Sequence, residues 1–204
     1  MTASRTDTPL ATRALGVVGI LGGLVLLAAF VLDIPPGWNT VRILLFPAGA
    51  LAVAVAAHAI HAATSRVTAL AGTIPVALAS CTLIAWELLA LGRERPFAGD
   101  FGLVGFWVGL AFWLTGAWFG LIAFRLGVLW RWAAVALVVG SLLAILGIDR
   151  LGLTSSADPT IFGPIALAGI ALYGLAWVLL GIDVVLALPG PGWRRGARAP
   201  EGAV

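Results

Sequence analysis

Charge is what this chain has least of. Only 10% of its 204 residues are Asp, Glu, Lys or Arg, against 61% apolar, and none is lysine. Water-soluble domains carry about 25% charged residues, so a soluble globular fold is excluded. A lone cysteine, Cys81, excludes an intrachain disulfide and any dithiol chemistry. The two histidines sit in no HExxH arrangement, and no CxxC pair or phosphate-cradling glycine loop occurs. Ser141 lies in VVGSLLAILG without a nucleophile elbow and with no histidine after it, which removes a serine-hydrolase reading.

What fills the sequence is long apolar runs. Mean hydropathy is +1.09. Six stretches, 14–32, 43–65, 67–91, 101–124, 132–148 and 160–188, are each near the roughly 20 residues a helix needs to cross about 30 Å of hydrocarbon. The expected fold is an all-α bundle of six transmembrane helices forming one domain over 14–188. Residues 1–13 read as a flexible tail and 189–204 as a flexible basic one. No connecting segment is long enough for a soluble catalytic domain, so any chemistry must happen inside the bundle.

The arginines give the orientation. Arg5, Arg13, Arg66, Arg125, Arg131, Arg194, Arg195 and Arg198 fall on one side of such a bundle, and Arg42, Arg93, Arg95 and Arg150 on the other. Short loops rich in basic residues stay in the cytoplasm, so both termini are expected there, in a multi-pass protein of the cytoplasmic membrane. The pI of about 10.4 therefore reflects topology. A nucleic-acid partner is not expected, because a basic footprint needs one contiguous face.

Three spans per half would give halves of opposite orientation, the inverted-repeat design of many transporters. LGVVGILGGL (15–24) matches FGLVGFWVGL (101–110) at five of ten positions, IPVALA (74–79) matches GPIALA (163–168) at four of six, and AWELL (85–89) matches AWVLL (176–180) at four of five. The third block needs two extra residues, which turns the matched faces by about 200°. A 3+3 repeat and a chance match of similar compositions both remain open. The stretches FRLGVLWRWAAVALVVG (124–140) and FGPIALAGIALYGLAWVLLG (162–181) resemble a pattern in small multi-span membrane proteins of high-GC bacteria. That resemblance covers the second half of the chain and implies the class, with no activity or cofactor attached.

Ionisable residues inside spans are costly and are functional candidates by default. Glu87, near the external end of span three, is the candidate acid; the alternative is an ion pair with Arg42, Arg93 or Arg95. Trp86, Trp107 and Trp113 are candidate walls of a hydrophobic substrate site around it, since ring faces stabilise developing cations. His58 and His61, three apart on one helix face, form with Asp183 a candidate polar cluster at the cytoplasmic side. The spacing falls short of a metal set, so no metal or cofactor is expected. His61 is expected at the interface, with His58 and Asp183 satisfying one another or nearby backbone. Gly105, Gly109, Gly116 and Gly120 line one face of span four, which should pack tightly. Ala136, Gly140 and Ala144 in span five, or Gly19 and Gly23 in span one, are the expected partners. Such glycine faces are also where a homo- or hetero-oligomer would form. Pro47 and Pro75 should kink spans two and three.

Three functions follow. The first is a non-catalytic accessory or scaffold bundle in the lipid bilayer. The second is a small-molecule transporter or channel built on the repeat. The third is an intramembrane enzyme acting on a hydrophobic, isoprenoid-like molecule with Glu87 as acid, a pairing of acid and aromatic walls that looks like membrane-bound terpene cyclases.

Overall fold

The computed structural model describes residues 10–31, 39–91, 103–148 and 159–186. These form six helices: α1 (Leu10–Val31), α2 (Asn39–His61), α3 (Arg66–Leu91), α4 (Leu103–Leu126), α5 (Arg131–Ile148) and α6 (Pro159–Leu186). No strand occurs among the described residues. Five helices are long and apolar enough to cross a membrane; α5, apolar over Arg131–Leu146, is the shorter one.

Each helix packs against its sequence neighbours, and α6 closes the circle by packing on α1. Helix α2 also reaches α6 and α4 across the interior. Neighbours run antiparallel: Gly16 of α1 meets Gly181 and Val184 of α6, while Gly23 meets Gly174 and Val178. The expected outline of an all-helical bundle thus stands, with boundaries shifted: α1 begins at Leu10, within the expected tail of 1–13, and α2 begins at Asn39, ahead of the expected 43. Residues 62–65, expected inside span two, are a turn. The amides of Thr64 and Ser65 both donate to the carbonyl of His61. Ser65 then caps α3, its Oγ accepting from the Thr68 amide at 3.4 Å and lying 2.8 Å from Thr68 Oγ1. At the same end, α4 stops at Gly127, whose φ of 63° no side-chain-bearing residue adopts cheaply and whose amide donates to Ala123.

Small residues set how closely the helices approach. Lipid tails are as apolar as leucine, so helices in a bilayer associate through packing and close backbone approach. The glycines of α1 serve two partners: Gly16 and Gly23, seven apart, face Gly181 and Gly174 of α6, themselves seven apart, and Gly22 rides against Leu45 and Gly49 of α2. A Cβ added at Gly140 of α5 would stand 2.6 Å from the backbone nitrogen of Tyr173, leaving no room for one.

This corrects two expectations about the glycine face of α4. Gly116 and Gly120 do pack tightly, Gly116 under the Tyr173 hydroxyl and Gly120 against Ala134 and Val138, but Gly109 has nothing within 4 Å. The side-chain surroundings of Gly105 lie outside the described residues. The partners also differ: Gly140 and Ala144 turn to α6, and α1 does not touch α4. The ring order is the physical reason, since it puts α2 and α6 on either side of α1.

Candidate functional site

The interior between α2, α4 and α6 is filled with aromatic rings. Phe46 meets Phe112 edge-on at 5.5 Å and Tyr173 at 5.7 Å. Trp113 lies on Tyr173 at 4.4 Å, and Phe119 stacks on Trp177 at 5.5 Å with 21° between planes. Phe119, Tyr173 and Trp177 are fully buried. The aromatic run of α4 therefore splits by helical geometry: Phe112 and Phe119, seven apart, point inward, while Trp107, Trp118 and Phe124 are exposed. Phe46 and Trp177 were missed as core members. The seven-residue steps linking Phe112 to Phe119, and the alignment of Trp177 one turn from Tyr173, were the available signals.

A groove of about 550 Å³ opens between α3 and α4, lined by Pro75, Leu78, Ala79 and Thr82 from one and Trp107, Val108, Ala111 and Thr115 from the other. Pro75 helps to create it. Proline brings no N–H, so the carbonyl of Ala71, four residues earlier, loses its helical donor. The indole Nε1 of Trp118 supplies one instead, donating to the Ala71 oxygen at 2.9 Å. The seam is thus pinned at Trp118 and open beyond Pro75.

The candidate acid and the three tryptophans grouped around it are distributed over different surroundings. Glu87 is buried, on the face of α3 that also carries Val76 and Ser80, and it is not among the residues lining the groove. Trp107 lines the groove and is 57% exposed. Trp113 belongs to the aromatic interior, and Trp86 is half-buried. Six residues separate Trp107 from Trp113, about 240° around the helix, so the two indoles cannot share one wall. Arg93 and Arg95 lie outside the described residues, as does the side chain of Arg42.

His58, His61 and Asp183 do fall at one end of the ring, where α2 and α6 finish. Their burial reverses the expectation: His61 is 1% exposed and sits 6.2 Å from Phe119, whereas His58 is the half-buried one. His58 Nδ1 and His61 Nε2 have no hydrogen-bond partner among the described residues. The reason is the early end of α2, which turns the chain under His61 and leaves that ring inside. Asp183 finds a backbone partner. The amide of Trp130, just ahead of α5, donates to its Oδ2 at 2.6 Å, answering an N–H that the coming helix cannot. No group of three or more His, Cys, Asp or Glu close enough to hold a metal occurs among the described residues.

Three other hydroxyls bond to backbone carbonyls. Ser141 Oγ donates to Leu137 O at 2.7 Å and Thr115 Oγ1 to Phe112 O at 3.0 Å, each on its own helix. Thr73 Oγ1 reaches Ala54 O of α2 at 3.4 Å. What the fold and its interior define is an all-helical chain with five helices of membrane-crossing length and apolarity. No family model, curated protein or solved structure matches it.

Proposed function

We propose that this chain is a multi-pass protein of the cytoplasmic membrane and that its work is non-catalytic, that of an accessory or scaffold bundle. In this reading all six helices cross, α5 included, because its 18 residues span about 27 Å. Both termini face the cytoplasm. The observation that carries the reading is the way α6 is gripped: its glycines meet the backbone of α1 on one side and α5 on the other. Binding energy of that kind holds a shape and offers no moving part. The acid, the histidine pair and the aspartate stand on different helices, the aspartate already holding a backbone amide.

A second reading, binding of a hydrophobic small molecule, is supported by the α3/α4 groove, whose lining is apolar apart from two threonines and an indole. A transport or enzymatic role, including one built on an inverted repeat, has less support. The matched glycines Gly23 and Gly109 have opposite surroundings, one pressed on α6 and the other open.

Restoring a deletion strain with variants tests the proposal. Glu87→Gln should restore it fully, while Gly23→Val, which wedges α1 from α6, should not. Loss of function in Glu87→Gln at wild-type abundance and native-gel mobility would replace the scaffold with an acid-dependent activity. Orientation is tested by Ala98→Cys in a Cys81→Ala background: labelling of intact cells by an impermeant thiol reagent is expected, and protection would invert the topology.

A further inference from the structure

Two hydroxyls in this bundle, those of Ser141 and Thr115, answer themselves. Serine and threonine can fold back onto a carbonyl of the preceding turn, as Ser141 and Thr115 do, and Ser80 could do so by rotating about χ1. Tyrosine and tryptophan cannot. Their rigid rings hold the polar atom far from their own backbone, so whatever pairs with it must come from elsewhere.

Tyr173 and Trp177 are neighbours one turn apart on α6, both fully buried, with rings edge-to-face at 6.0 Å. By distance and angle, neither Tyr173 Oη nor Trp177 Nε1 makes a full hydrogen bond to another described residue, although the indole lies near enough to the phenol oxygen to interact with it. The rings around them, Phe46, Phe112, Trp113 and Phe119, provide no oxygen. Buried polar atoms in folded proteins are paired in roughly 90% of cases or more. An indole N–H only donates, and a phenol has a proton to give. Even an indole turned onto Tyr173 Oη would leave the phenol proton without an acceptor.

We propose that the aromatic interior holds an oxygen-bearing guest that accepts hydrogen bonds from Tyr173 Oη and Trp177 Nε1. The shared chemistry is an acceptor oxygen, supplied either by an ordered water or by the carbonyl or ether oxygen of a lipophilic molecule. The inference goes beyond the scaffold reading and does not depend on it, since a packed bundle can carry an internal guest whatever its partners are.

Tyr173 is the only tyrosine of the chain, so it can be observed without any substitution. Protein grown on tyrosine labelled with ¹⁸O at the phenol, in bilayers, is compared by infrared difference spectroscopy with unlabelled protein. The expected result is a broadened O–H stretch moved to lower frequency, the mark of a donating phenol. A sharp stretch at the position of a free phenol overturns the proposal.

Two further measurements name the guest. Mass spectrometry of the organic extract should show one oxygen-bearing lipophile per chain, lost in Tyr173→Phe, if the guest is organic. Water-edited solid-state NMR on ring-¹³C tyrosine should show transfer from water to the ring if the guest is water. A bonded phenol with neither result means that a protein atom accepts the proton, and this too overturns the proposal.

Discussion

The seams on either side of α6 and the seam between α3 and α4 are all largely apolar and come out differently. Along α6, 61% of the apolar stretch is buried; along α1 and α3 alike, 33% is, so the difference between the seams lies in the contacts themselves. On α6, Gly169 and Gly181 sit against the backbone of α5 and α1, and Gly174 against the Leu26 and Leu27 side chains of α1, so the helices approach closely. On α3, Pro75 lies where the helices part into a groove, and the indole of Trp118 bridges them by a hydrogen bond to Ala71. Close packing is thus set by where small residues meet other small residues, and their number along a helix does not decide it.

The largest effect is expected where that contrast is broken on the tight side. Gly140→Val pushes a side chain into the backbone of Tyr173 and should cost about 3 kcal/mol, the upper range for overpacking; loss of the folded band on a native gel would register it. Asp183→Ala leaves the Trp130 amide without its acceptor and should cost about 2 kcal/mol, read as a lowered midpoint in a denaturing-detergent titration.

On the loose side the effects shrink. Trp118→Phe removes the donor to Ala71 and should cost about 1 kcal/mol. In a Pro75→Ala background the carbonyl regains its own helical donor, so the same substitution should then cost close to nothing. A double-mutant cycle with no coupling would show that the indole does not pin the seam. Smallest of all, Gly109→Ala meets open space and should leave stability unchanged or raise it by about 0.5 kcal/mol through helix propensity. A clear loss there would mean that another molecule covers that side of α4.

The helices themselves were legible in the sequence because charge scarcity and run length leave little choice for a 20-residue apolar segment. Ring order was not. The glycine period on α4 predicted a tight face, and Gly116 and Gly120 obey it, but no periodicity within one helix says where its neighbour ends. His61 was assigned to the interface from its place near the end of an apolar run; the Ser65 cap shortens that helix and puts the ring inside. Pro75 announced a kink, whereas the use of its orphaned carbonyl by Trp118, 47 positions away, is a tertiary fact that local reading cannot reach. Of the candidate site, Glu87 was rightly expected within a helix, but the three tryptophans could be placed relative to it only once the turn of α4 was known.

Helix α6 is the last of the six to leave the ribosome, yet it lies between the first and the fifth. Until it arrives, the bare glycine backbones of α1 and the Gly140 face of α5 have no companion but lipid. A nascent chain of five helices therefore has its two most demanding surfaces open at once, and both wait for the same partner.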